Sequence, residues 1–69
     1  MFAVEAVAAG DDWAETVYSF GSRVATVDEA VTLVKEAGYT VLADYPPEVA
    51  DIGFEDALIS VFVSPECLQ

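Results

Sequence analysis

Residues 26–51 read TVDEAVTLVKEAGYTVLADYPPEVAD, and their first half predicts the one helix of the chain. Thr26 is placed to cap the first turn, because a threonine hydroxyl accepts from a backbone N–H that has no partner within the helix, and Glu29 completes a Thr-x-x-Glu capping box. Gly38 supplies the left-handed stop. Between these ends Val27, Ala30, Val31, Val34 and Ala37 recur at helical spacing and form the expected buried stripe, with Leu33 widening it. Asp28, Glu29, Thr32, Lys35 and Glu36 are left for solvent. Asp28 and Glu29 also sit where the helix dipole is positive, a stabilising placement that needs no functional motive.

The second half changes character. YTVLADY, residues 39–45, is rich in β-forming residues and is closed by Pro46 and Pro47, which cannot continue a ladder, so it predicts a strand. PPEVADIGFED, residues 46–56, then reads as a loop. ALISVFV, residues 57–63, predicts the last strand, with Leu58, Ser60 and Phe62 on one side, Ile59, Val61 and Val63 on the other, and Ser64 and Pro65 ending it. Its two apolar faces imply an interior strand or an exposed face awaiting a partner.

Upstream of the helix, FAVEAVAA, residues 2–9, is short for a helix and runs into the turn signal GDD, which predicts a strand. WAETVYSF, residues 13–20, admits two readings. Asp12 and Glu15 have capping-box spacing and Trp13, Val17 and Phe20 fall on one helical face, yet Thr16, Val17, Tyr18 and Phe20 favour a strand. The strand reading makes residues 2–20 a hairpin turning at Gly10, Asp11 and Asp12, followed by a loop, GSRVA. The expected fold is a single α+β domain, residues 1–69, in the order ββαββ, with one helix packed on a mainly antiparallel sheet of three to five strands. Trp13, Tyr18, Phe20, Tyr39, Phe54 and Phe62 are expected mostly in its core, since so short a chain needs their area.

Charge sets the chain apart. Thirteen Asp and Glu residues stand against Arg23 and Lys35, giving a formal net charge of -11 with no histidine. At 55% hydrophobic and 12% aromatic the chain can nevertheless collapse, unlike a disordered acidic tail. Two cations cannot make the basic patch that nucleic acid or an anionic membrane requires, which excludes both as direct partners. A basic protein is the natural counterpart. Cys67 is the only cysteine, so no internal disulfide or Cys-rich metal site is expected. The opening MFAVEAVAAG carries Glu5 and lacks the basic start of a secretory signal, and no apolar run approaches membrane-spanning length, so the expected location is the cytoplasm.

Catalytic chemistry finds little support. Ser19, Ser22, Ser60 and Ser64 lack a Gly-x-Ser-x-Gly context, Lys35 falls on the solvent face of the helix, and no histidine is present to act as acid or base. Carboxylate-only catalysis needs a cleft for which so small a fold has little room. Asp44, Glu48, Asp51, Glu55 and Asp56 lie close in sequence but do not follow the order of a calcium-binding loop. DYPPE lacks the Pro-x-x-Pro spacing of a polyproline ligand. The protein is expected to be non-enzymatic, with neither metal nor cofactor.

What remains is the acidity itself, which exceeds what solubility requires. Its carboxylates are dispersed among structured elements: Asp11, Asp12 and Glu15 at the hairpin, Asp28, Glu29 and Glu36 on the helix, and Asp44, Glu48, Asp51, Glu55 and Asp56 in the loop. Duplex DNA carries one charge per roughly 1.7 Å of axis, so dispersed acids on a rigid frame can occupy a channel built for nucleic acid. In size, charge, self-contained α/β layout and lack of catalytic residues the chain resembles the small acidic phage-encoded inhibitors, notably anti-CRISPR proteins, some of which act as DNA mimics. The resemblance carries no diagnostic motif and therefore no family residue. It implies, as target, a basic nucleic-acid-binding subunit of a CRISPR effector complex, blocked by occupancy in the host cytoplasm. The candidate partner-binding residues are Asp28, Glu29, Glu36, Asp44, Glu48, Asp51, Glu55 and Asp56. The alternative is a small interaction domain of a halophilic organism, whose acidic, lysine-poor surface serves adaptation to molar salt.

Overall fold

The computed structural model describes residues 1–53 and 56–65, leaving out the side chains of Ile52 and Asp56. Its elements follow the order β1 (Phe2–Ala9), β2 (Ala14–Val24), α1 (Val27–Glu36), β3 (Glu48–Gly53) and β4 (Asp56–Val63). The expected ββαββ order and α+β class hold.

Both ends of α1 are set by local chemistry. Thr26 has extended backbone angles, and its Oγ1 accepts from the Glu29 N–H at 3.2 Å. The Glu29 carboxylate reaches back to the Ala25 N–H at 2.9 Å, one residue short of the cap itself, so two N-terminal donors are satisfied. At the other end Gly38 takes φ +101°, its N–H bonds to the Lys35 carbonyl, and the Tyr39 N–H bonds to that of Val34. This is the paired closure that a glycine after the last turn permits. Ala30 and Val34 are fully buried, while Val27, Val31 and Leu33 are partly buried. Ala37 departs from the expected stripe and is exposed, because it lies at the end of the helix as its C-cap.

The four strands form one sheet in the order β2-β1-β4-β3. β1 and β2 pair antiparallel, as do β3 and β4, but the two central strands, β1 and β4, run parallel, so the sheet is mixed where a mainly antiparallel one was expected. A parallel pair needs a long crossover, and α1 lies within it. Central position explains the double-sided apolar character of both strands. Register aligns Val4 with Ile59 and Ala6 with Val61, and these four residues, with Val63, Val24, Ala30 and Val34, make the buried core beneath the helix.

Three expectations fail at particular places. First, β2 continues through Gly21, Ser22 and Arg23, which read as a loop. The strand carries two irregularities: Val17 is an extra residue opposite the step from Ala6 to Val7, and residues 21–23 span the interval that Ala3 covers alone on β1. Bulges break the two-residue period on which strand reading depends. Second, residues 39–45 form only an isolated antiparallel bridge, Val41 with Val63, supported by the Leu42 N–H to the Phe62 carbonyl and the Ser64 N–H to the Thr40 carbonyl. Third, the expected loop contains β3, which takes the flank of β4 over residues 56–60. The prolines separate the two contacts, so the chain touches the end of β4, turns outward and returns along it.

Among the described residues no aromatic side chain is in the buried core, contrary to expectation. A single ten-residue helix on four strands makes a thin core that Val, Ile and Ala fill, and the rings pack at its margins. Phe20 meets Tyr18 at 4.9 Å and Tyr39 at 6.3 Å between centroids, and Tyr45 meets Phe62 at 6.2 Å. Trp13 and Tyr18 are exposed. The Trp13 indole lies over Gly10, whose N–H bonds to the Trp13 carbonyl, so a side chain at residue 10 would collide with the ring. Phe54 and Cys67 lie outside the described residues. No helix among the described residues is long and apolar enough to cross a membrane.

Candidate acidic interaction surfaces

The candidate acids of the helix come together. Asp28, Glu29 and Glu36 line one groove of about 410 Å³ between the outer face of α1 and residues 22–24 of β2. All three are exposed. Asp28 and Glu36 are two turns apart, about 12 Å along the axis, with Thr32 between them donating to the Asp28 carbonyl at 3.0 Å. Arg23 lines the same groove, so this acidic surface includes one of the two cations of the chain.

Among the described residues, the acids expected in the loop do not form one cluster. Asp44 is in the turn before the prolines. Glu48 opens β3 opposite Ser60, while Asp51 pairs with Ala57, three residues along the strand. An odd interval on a strand places the two carboxylates on opposite faces of the sheet. Asp51 is also engaged locally, its Oδ1 accepting from the Gly53 N–H at 2.9 Å. The backbone of Asp56 begins β4, its side chain is not described, and Glu55 lies outside the described residues.

Glu5 is the residue that sequence reading passed over. It is half-buried on the face of β1 turned away from the helix, where its Oε1 accepts from Ser60 Oγ at 2.9 Å and its Oε2 from Thr16 Oγ1 at 3.3 Å. A second groove, about 260 Å³, gathers Glu5, Glu15 and Glu48 with Val7 and Phe62. One signal was available: Glu5 is the only charge in FAVEAVAA, and alternation sets it opposite to Val4 and Ala6. Its hydroxyl partners belong to other strands and could not be read from that segment.

Among the described residues no group of three or more Asp, Glu, Cys or His side chains is arranged to hold a metal ion. No protein-family model, curated protein or solved structure matches the chain.

Proposed function

We propose that the protein is a non-enzymatic acidic inhibitor that binds a basic nucleic-acid-binding protein by charge mimicry. The observation that supports this most is the fixing of carboxylates on regular elements: Asp28, Glu29 and Glu36 on α1, Glu5 on β1 and Glu48 on β3, within a chain of net charge -11. A rigid array presents charge without the ordering cost of a flexible tail. The resemblance to anti-CRISPR proteins extends the proposal to a target: a nucleic-acid-binding subunit of a CRISPR effector complex, met in the host cytoplasm. Neither nucleic acid nor membrane is a direct partner in this reading. Capture from a lysate at moderate salt tests it. A basic nucleic-acid-binding protein that is recovered on the wild-type chain and released by excess duplex DNA supports mimicry; retention in the presence of DNA contradicts it.

A second reading, adaptation to molar salt, draws on the scarcity of cations together with a buried core that, among the described residues, is made of Val, Ala and Ile. The two readings differ in what they require of the fold at low ionic strength.

A further inference from the structure

We propose that the sheet face opposite α1, not the helix groove, is the principal docking surface, and that it takes a basic extended segment whose arginine side chain sits over Glu5. This rests on the reading of the protein as a binder of a basic partner and says where that partner lands.

The helix covers one face of the sheet, packing on β1, β2 and β4; on the opposite face no other described helix or strand packs, Tyr45 meets Phe62 at 6.2 Å, Val7 is buried, and Leu58, Ser60 and Phe62 are half-buried. By register that face carries Val7 on β1 and Leu58 and Phe62 on β4 as apolar floor, with Glu5, Ser60 and Glu48 as its polar centre. The groove on this face has no Lys or Arg among its lining residues, and Lys35 belongs to α1 on the other layer. An apolar face with acids at its centre and no cation in its groove is complementary to a segment that alternates basic and apolar side chains.

Glu5 is prepared for such a ligand. Two hydroxyl donors, from strands on either side, hold its two oxygens in place, and each oxygen keeps capacity for a further bond. The groove above it runs across all four strands, with Ala14 and Thr16 of β2 at one side, Glu48 of β3 at the other and Phe62 of β4 beside them. A guanidinium suits this site better than an ammonium, since its planar fork meets a carboxylate bidentately and stacks on an aromatic ring. A second copy of the chain does not fit, because it would set these carboxylates against their own counterparts.

The test uses two short synthetic peptides of equal charge, one alternating arginine with leucine and one alternating lysine with serine. Each is titrated into the isotopically labelled full chain at about 0.15 M salt, where long-range attraction is screened beyond about 8 Å. The arginine–leucine peptide is expected to shift the amide signals of Glu5, Val7, Thr16, Glu48 and Phe62 and to bind at least about tenfold more tightly than the lysine–serine peptide. Glu5→Gln and the exposed Glu48→Gln are each expected to weaken it several-fold, whereas Asp11→Asn, at the exposed hairpin turn, is not. Shifts confined to Asp28, Glu29 and Glu36, or equal binding of the two peptides unaffected by Glu5→Gln, would overturn this face and leave the proposed function standing. No binding of either peptide would overturn both.

Discussion

Thr26 accepts the Glu29 N–H at the start of a helix of ten residues, a length at which an isolated helix is marginal and its ends count. T26A is expected to cost about 1 kcal/mol, read as a lower urea midpoint with an unchanged slope; an unchanged midpoint would show that the cap contributes nothing. Val34 has no exposed surface. Val34→Asp places an unpaired carboxylate in the core at a cost of several kcal/mol, about the whole stability of so small a domain, and should abolish the far-ultraviolet dichroism of the fold. A folded V34D chain would contradict the packing described for α1. Both residues were legible in the sequence, since a cap and a helical stripe are signals contained within a few positions. Glu5 was not, because its two hydroxyl donors come from residues 11 and 55 positions away.

The same difference governs which elements could be read. β1, α1 and β4 announce themselves through alternation, periodicity and end signals, and each lies within a residue or so of its expected bounds. β3 does not, since Glu, Ala, Asp and Gly are poor strand formers and Val49 is exposed; its conformation comes from the open flank of β4. Residues 39–45 show the converse, strong β-formers left with one bridge because β3 takes most of that flank. Hydrogen exchange should reflect this: amides of β1 and β4 exchange slowest, and those of β3 are protected but faster, as expected of an edge strand. No protection at Glu48–Gly53 would return that segment to the loop that its composition suggests. The acids of α1 can be tested as a unit. Reversing Glu29 and Glu36 to lysine loses the Ala25 N–H acceptor and puts one cation at the positive end of the dipole, offset in part by the other at the negative end, so stability should fall by about 1 kcal/mol without unfolding the domain. In surface plasmon resonance on the captured partner, slower association and a shallower salt dependence are expected if the helix groove contributes to steering. An unchanged rate would assign steering to the sheet face alone.

At the scale of the whole molecule the carboxylates repel one another, and how strongly depends on salt. The principal dimensions are 33 × 26 × 20 Å. At about 10 mM salt the screening length is about 30 Å, so acids on opposite sides of the protein interact, whereas at about 1 M it is about 3 Å and they do not. The sequence made the total charge plain but not its distribution. That distribution depends on the mixed sheet, which sends Glu48 and Asp51 to opposite faces and brings Glu5 and Glu48 into one groove from two strands. A protein whose acids serve recognition in an ordinary cytoplasm must withstand their repulsion when screening is weak; one adapted to molar salt has no such requirement. Circular dichroism across a dilution from molar to millimolar salt separates these cases most directly. The charge-mimic account predicts an unchanged spectrum and a cooperative thermal transition throughout, with the midpoint falling only modestly at the lowest salt. Loss of the folded spectrum on dilution, recovered when salt is restored, would contradict it and assign the acidity to the solvent.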